Sequence, residues 1–514
     1  MTDDYRAAAN TLLRESAADP WAWLTPSVYE SARLVSDAPW LGGHAERLRH
    51  LCERSWGQDG FAFNATLSAT EALLTVLARR EEADEAVPRE RVRAVAGEGL
   101  RVLRDWLAPG GRYAGGPPQT ISVELIVPML VERINSRLAA TVDGGNGGAA
   151  LLPMPAGCAT DRLAAIRADA AAGAELPADI WHAWEIATPA ALPDGPPHPY
   201  AGSVSCSAAG TAGWLRTAPE PDSPAGRFLE ELQRYGNGLV PVAAPIDYFE
   251  HAWMLNTFTW HAVPHDCPRE ILDRLEPELG PYGIAGGRDL TVDGDDTAAV
   301  LNALLCHGRT VSLDGLLTYW TDDHFQIYPG EAVSSPATNG HTVSLLRRCL
   351  DEDPERYGPL LRRNTEWLLD QQRADGSWSD FWHVSPYYAT VCAVEALSAM
   401  DGERARAAVA RARRWVLDSR HPGGGWGVRW VTMEETAYAT LILRGSTGNG
   451  VAEALAAAEP VLRDGVVDAG ITPLWLVKDY FAPIRVVAAA VLAARHTLAN
   501  RRNRRNLRSR QGLL

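Results

Sequence analysis

Trp367-Leu368-Leu369-Asp370, followed by Asp375-Gly376-Ser377-Trp378, returns further along the chain as Trp415-Val416-Leu417-Asp418 followed by Gly424-Gly425-Trp426. Both tryptophans of the unit recur at an offset of 48 (415 − 367 and 426 − 378). Tyr388-Ala389-Thr390 recurs as Tyr438-Ala439-Thr440, at an offset of 50. Each unit reads as an apolar helix, a Gly/Trp turn and a second helix beginning near Tyr-Ala-Thr. A weaker copy, Gln58-Asp59-Gly60-Phe61 followed by Thr66-Leu67-Ser68-Ala69-Thr70-Glu71, stands early in the chain. Helical hairpins repeated at this length predict an open solenoid or a closed α-barrel of paired helices. Loops at one end of a closed barrel would surround a cavity, which suits small-molecule chemistry.

The flanking sequence agrees with an all-α fold. Val92, Val95, Gly99, Leu103 and Trp106 keep helical spacing until Pro109-Gly110-Gly111 ends the run. Ala405, Ala408, Val409, Ala412, Trp415 and Val416 form one stripe with arginines opposite, and long alternating β-branched runs are missing. Gly/Pro-rich stretches at Gly144–Gly157, Ala187–Ser207 and Thr217–Gly226 predict insertions in the first half, and the cluster from Pro264 to Gly287 predicts a domain boundary.

The 514 residues are 46% hydrophobic and 22% charged, with a net charge of 49 − 64 = −15. That argues for folded domains and against disorder or a nucleic-acid-binding body. Seven scattered cysteines without a CxxC pair argue against a disulfide framework or a zinc knuckle and fit a reducing cytoplasm. The start Met-Thr-Asp-Asp-Tyr lacks the features of a signal peptide, and the apolar run Val486–Ala494 is too short to span a bilayer, so no stable membrane insertion is expected. Arg495 to Leu514 carries seven arginines and no acid, a basic tail that is either solvated or attracted to an anionic membrane surface. Trp (18) outnumbers Tyr (14) and Phe (8), and Lys478 is the only lysine.

The densest chemical signal is Asp293-Gly294-Asp295-Asp296-Thr297-Ala298, three carboxylates at the start of an apolar helix. Helix capping is one account, since an Asp N-cap with further acids in the first turn is favoured by the helix dipole. A cap needs only one of them. Crowding raises the pKa of at least one and creates a candidate general acid. A Ca²⁺ loop is disfavoured because the spaced ligands of an EF-hand do not follow.

Asp293-Gly294-Asp295-Asp296-Thr297-Ala298 resembles the DxDDTA motif of class II terpene cyclases, and the likeness is closest to bacterial diterpene cyclases of the copalyl diphosphate synthase type. Ser27-Val28-Tyr29-Glu30-Ser31-Ala32, Leu67-Ser68-Ala69-Thr70-Glu71-Ala72, Val123-Glu124-Leu125-Ile126-Val127-Pro128, Gln372 to Trp378, Trp382 to Thr390 and Leu474 to Tyr480 resemble further segments of that family, in family order. The resemblance implies two α-barrel (α/α) domains in the βγ arrangement: an N-terminal helix (1–20) packing on the C-terminal barrel, a γ-like barrel (21–270), a β-like barrel with the DxDD motif (271–500) and a basic tail (501–514). It implies Mg²⁺-dependent, protonation-initiated cyclisation of a prenyl diphosphate, C20 or else C15, with the diphosphate retained for a downstream phosphatase or class I synthase. Asp322-Asp323-His324-Phe325-Gln326 lacks the last acid of a class I DDxxD motif, in keeping with that retention.

Under this resemblance Asp295 carries the proton, Asp293 and Asp296 orient it, and Asn339 and His341 hydrogen-bond it. For these last two an ordinary buried polar network is the alternative. Trp378, Trp382, Tyr387, Tyr388, Trp426 and Trp475 are candidates to face a carbocation, against barrel packing as the alternative. Glu124 matches a carboxylate implicated in Mg²⁺ binding, or else pairs with an arginine such as Arg133. Lys478 is a candidate phosphate contact, or else pairs with Asp479. Phe381 stands where many relatives carry a basic residue, which weakens one expected diphosphate contact. A helical-repeat binding module and an (α/α)-barrel glycosidase remain as other classes; the glycosidase would separate its two carboxylates by about 5–9.5 Å, usually on different segments. A squalene-type cyclase would share DxDD without needing Glu124 or Mg²⁺.

Overall fold

The computed structural model describes residues 2–54, 62–79, 87–142, 150–174, 176–187, 202–220, 222–331, 333–468 and 470–511. The early repeat copy at Gln58–Phe61 and most of the two longest predicted insertions lie outside the described residues. Among those described, the only strand pair is the short antiparallel Trp475–Leu476 and Tyr480–Phe481; the rest of the regular structure is helical. Many helices begin at a hydroxyl or carboxyl N-cap followed by proline: Ser223-Pro224, Ser335-Pro336, Asp353-Pro354 and Ser385-Pro386 each cap a backbone N–H two or three residues on. Proline at the first helical position gives up a donor that has no partner there in any case.

Six helices close a ring in the C-terminal half: Asp247–Trp260, Gly294–Cys306, Pro336–Cys349, Pro386–Ser398, Met433–Ile442 and Ile484–Gln511. Each packs on the next and the last returns to the first. These inner helices are buried on nearly all sides in their described central turns, whereas the outer Glu403–Asp418 buries only the stripe Ala405, Ala408, Val409, Ala412 and Val416 and keeps its arginines outward. The N-terminal half makes a second, smaller ring from Val28–Asp37, Phe63–Ala78, Val123–Val142, Trp184–Ala187 and Ala208–Leu215 around its own apolar core.

The boundary expected within Pro264–Gly287 falls inside the C-terminal barrel. Helix Asp247–Trp260 buries Ala252, Met254, Leu255 and Phe258 in the same core as the later repeats, so it is the first stave of that barrel and not the end of the preceding domain. Helix Thr2–Ala18 adds Ala9 and Leu13 to that core and lies against Ile484–Gln511. The basic segment continues this last helix as far as Gln511.

The repeat has a mechanical explanation. The Trp378 indole Nε1 donates to Leu368 O at 2.8 Å and that of Trp426 to Val416 O at 2.6 Å, each reaching back ten residues to pin the turn onto the preceding helix. Their backbone N–H groups donate to Thr390 and Thr436 hydroxyls on the following helix. Gly376 and Gly424, one repeat apart, both have positive φ (+98° and +92°). A Cβ there would approach a backbone oxygen, Arg411 O or Ala457 O, to within 2.7–2.8 Å. Trp378 and Trp426 are fully buried in this role, so both are corrected from cation-facing candidates to structural clamps.

Candidate active site

The three aspartates of the motif do different things. Asp293 is the N-cap of helix Gly294–Cys306 and accepts the Asp296 N–H at 2.7 Å. Burial pushes its carboxyl up to about 7. Asp296 is partly buried: its Oδ1 is buried without a partner, and a Cβ on Gly286 would come within 2.7 Å of Oδ2. Burial first, then the neighbouring Asp293 carboxylate, pushes its pKa well above the usual carboxylate range. A helix cap and a crowded carboxyl with a raised pKa therefore coexist in one turn.

Asp295 projects the other way. Its side chain is 17% exposed, and Oδ1 lies 2.7 Å from Nδ1 of the buried His341 on the neighbouring inner helix. Burial by itself would lower the His341 pKa, but the Asp295 carboxylate outweighs it and raises the imidazole to about 10. A short hydrogen bond thus joins imidazole and carboxyl across two neighbouring inner helices. Asn339, expected to touch the acid, does not. Its amide donates to Phe325 O and Ser335 O and its carbonyl accepts the Phe325 N–H, so it fixes the loop beneath the motif. One helical turn carries both residues, but 100° per residue sends the two side chains to different neighbours.

Around His341 stands an aromatic wall. Trp253 meets the imidazole edge-on and Trp260 stacks on it, both with centroids 5.4 Å away. Tyr388 accepts the Trp253 indole N–H at 2.8 Å and packs on Trp475 and His383. Trp253, Trp260, His341, Tyr388, Tyr438 and Val486 line one cavity beside the acid. Buried Glu434 accepts from the Trp475 indole and the Tyr438 hydroxyl and lies 3.2 Å from His383 Nε2. Of the aromatic candidates, Tyr388 and Trp475 are on this wall. Trp382 is partly exposed with a buried, unpartnered indole N–H. Tyr387 is corrected: its hydroxyl bonds Ser419 and its ring packs on Trp415, in the layer between inner and outer helices.

Trp253 and Trp260 were not singled out in the sequence, because nothing in a tryptophan-rich helix marks which side faces the neighbouring repeats. Asp380 was missed too. Half-buried and held by the Ala337 and Trp382 N–H groups, its carboxyl lies close enough to Asp295 for the two to act on each other, and burial raises its pKa. Its position just before Trp382-His383 was the available signal.

Lys478 is corrected on both accounts. It is fully buried at the junction of the two barrels, in an ion pair with Glu30. It also donates to His182 O and the Ser207 hydroxyl at 2.8 Å and to Glu185 at 3.2 Å. Asp479 does not pair with it and instead accepts from Ser27 Oγ and the Tyr29 N–H. Glu124 pairs with Arg162 at 2.9 Å and is 41% exposed, while Arg133 binds Asp37 and Glu71. Among the described residues no three His, Cys, Asp or Glu side chains converge on a metal site. The Glu124 helix begins at the junction, where Ile121 N donates to Val477 O and Asn64 bridges Thr120 and Lys478 O. The same junction holds Arg112 and Arg429, whose charges both act on the Tyr113 and Tyr480 phenols. No described helix is long and apolar enough to cross a membrane.

Comparison with known proteins identifies the family. Residues 325–472 match the squalene-hopene cyclase C-terminal domain family. The chain is 36% identical over 503 residues, covering 95% of each chain, to the ent-copalyl diphosphate synthase of Streptomyces sp. strain KO-3988. It is 33% identical to the terpentedienyl-diphosphate synthase of Kitasatospora griseola, covering 94% of this chain and 99% of that one. The solved ent-copalyl diphosphate synthase from Streptomyces platensis superposes with a TM-score of 0.89 at 40% identity, over 97% of this chain and all of that one. The chain is an enzyme and belongs to the copalyl diphosphate synthase-like class II diterpene cyclases.

Proposed function

We propose that this enzyme cyclises geranylgeranyl diphosphate to a bicyclic labdane-type diphosphate by protonating its terminal alkene. The observation that carries the proposal is the Asp295–His341 pair: of the three motif carboxylates, Asp295 alone turns away from the capping pair, to a buried histidine on the aromatic wall. An apolar chain seated there displaces water. In the drier site a separated charge pair is disfavoured, so the hydrogen-bonded proton moves from imidazole to carboxyl. Asp295 then gives its proton to the terminal alkene carbon. The electrons of that double bond form the new C–H bond, and the cation left behind is captured by two further double bonds in turn, closing two rings. Loss of a proton from the bicyclic cation ends the step, and the C–O–P linkage is untouched. Trp253, Trp260, Tyr388 and Trp475 supply ring faces to the passing charge, each worth about 0.5–2 kcal/mol.

For the diphosphate, the support is the positive charge of Arg112 and Arg429 at the junction, where the Glu124 helix also starts. Glu124 fits an Mg²⁺ ion only as one carboxylate beside phosphate oxygens and water, an ordinary arrangement for this ion. Mg²⁺ bound there would neutralise diphosphate charge. The test is incubation with C20 and C15 prenyl diphosphates, with and without Mg²⁺, then phosphatase treatment and mass spectrometry. A bicyclic C20 alcohol is expected. A cyclised product from the C15 substrate alone would reassign the enzyme to farnesyl diphosphate, and no cyclised alcohol from either would refute the proposal.

A further inference from the structure

Far from the acid, at the other end of the helix that bears it, two histidines meet in an arrangement the cyclisation does not use. His307, just past the end of Gly294–Cys306, lies within hydrogen-bond distance of Ala303 O through Nδ1 at 2.7 Å. His265, in the loop after Asp247–Trp260, does the same with Val263 O at 2.8 Å. A carbonyl oxygen only accepts, so both Nδ1 atoms carry the hydrogen, and in each neutral ring the lone pair is on Nε2. Those two Nε2 atoms face each other at 3.0 Å. Two lone pairs at that distance repel unless a cation joins them.

We infer that His265 and His307 are a two-imidazole site for a divalent late transition-metal ion of the Ni²⁺ or Cu²⁺ kind. Metal–nitrogen bonds of about 2.1 Å at a right angle hold two nitrogens about 3.0 Å apart, whereas a tetrahedral angle opens them to about 3.4 Å. The observed separation is thus that of adjacent ligands in a square-planar or octahedral ion. Anchoring the remote ring nitrogen on a backbone carbonyl is the usual support of a metal-binding histidine, because it fixes tautomer and ring direction. Both rings are partly exposed, so an ion and its water ligands can reach them. Among the described residues no third His, Cys, Asp or Glu completes the set, so water fills the remaining positions. The ion would clip the loop after Asp247–Trp260 onto the helix whose other end carries Asp293–Asp296.

The test uses the full chain after chelator treatment, with Cu²⁺ and Ni²⁺ as probes. Electron paramagnetic resonance of the Cu²⁺-loaded wild type is expected to show hyperfine coupling to two imidazole nitrogens. Ni²⁺ is expected to raise the melting temperature of the wild type, with affinity falling at least tenfold in His265→Ala and in His307→Ala. The spectrum is read on wild type, so it holds even if a variant folds poorly. Absence of the two-nitrogen signature, or equal Ni²⁺ affinity in both variants, would overturn the site. So would a strongly downfield imidazolium proton in metal-free protein at neutral pH that Ni²⁺ does not displace, because the cation between the rings would then be a proton.

Discussion

Replacing Lys478 with methionine separates the two roles a lone lysine could have here. Its ammonium, with no exposure, joins the C-terminal segment to Glu30 and Glu185 of the first barrel. Methionine keeps the length of the side chain and strands two buried carboxylates. Removing one partner of such a pair is destabilising by about 3–5 kcal/mol. Glu30, pushed up by burial to about 7 even with the lysine present, can escape part of this by taking a proton, which favours the lower end. An unfolding entropy of about 2.1 cal/mol/K per residue over 514 residues gives about 1.1 kcal/mol/K. The expected loss in melting temperature is therefore about 3–5 °C by calorimetry at pH 7.5. Adding Glu30→Gln to Lys478→Met should recover about 1–2 kcal/mol, since it removes one stranded charge. A variant with unchanged melting temperature and a KM for the prenyl diphosphate raised tenfold or more would refute this account and return Lys478 to the phosphate.

Three further outcomes follow from the site. Asp295→Asn should keep the fold, with a melting temperature within about 2 °C of wild type, and lose at least 10²–10⁴-fold in single-turnover rate; equal turnover would remove Asp295 from the chemistry. His341 has a folded pKa near 10 against 6.5 unperturbed, so its pairing stabilises the fold fully below pH 6.5, and that contribution is lost as pH rises towards 10. Denaturation midpoints from pH 6.5 to 10 should therefore fall more steeply for wild type than for His341→Asn, and parallel slopes would contradict the pairing. Trp378→Phe should lower stability by about 1 kcal/mol or more through the lost bond to Leu368 O and leave the product unchanged, whereas Trp253→Phe should alter product ratios seen by gas chromatography.

The amino-acid order by itself determined the helical architecture and marked the three-aspartate turn. A 48-residue repeat of helix, Gly/Trp turn and helix has few ways to bury its apolar faces, and closing a barrel is one of them. Gly376 and Gly424 are legible as turn glycines because their φ is local. Asp293 and Asp295 are legible because crowded carboxylates in one helical turn are a short-range pattern. Tertiary structure decided everything that depends on which neighbour a side chain meets. Asn339 and His341 differ by two residues, yet one fixes a loop and the other holds Asp295, because helical rotation points them at different staves. Trp378 and Trp253 are both buried tryptophans, and only the packing of the barrel separates a clamp from a cavity wall. Lys478 acquires its meaning from Glu30, 448 positions away (478 − 30), and Asp247–Trp260 joins the second barrel through contacts with Ile484–Gln511. Long-range partners of this kind are set by the closure of the ring, and no local pattern records them.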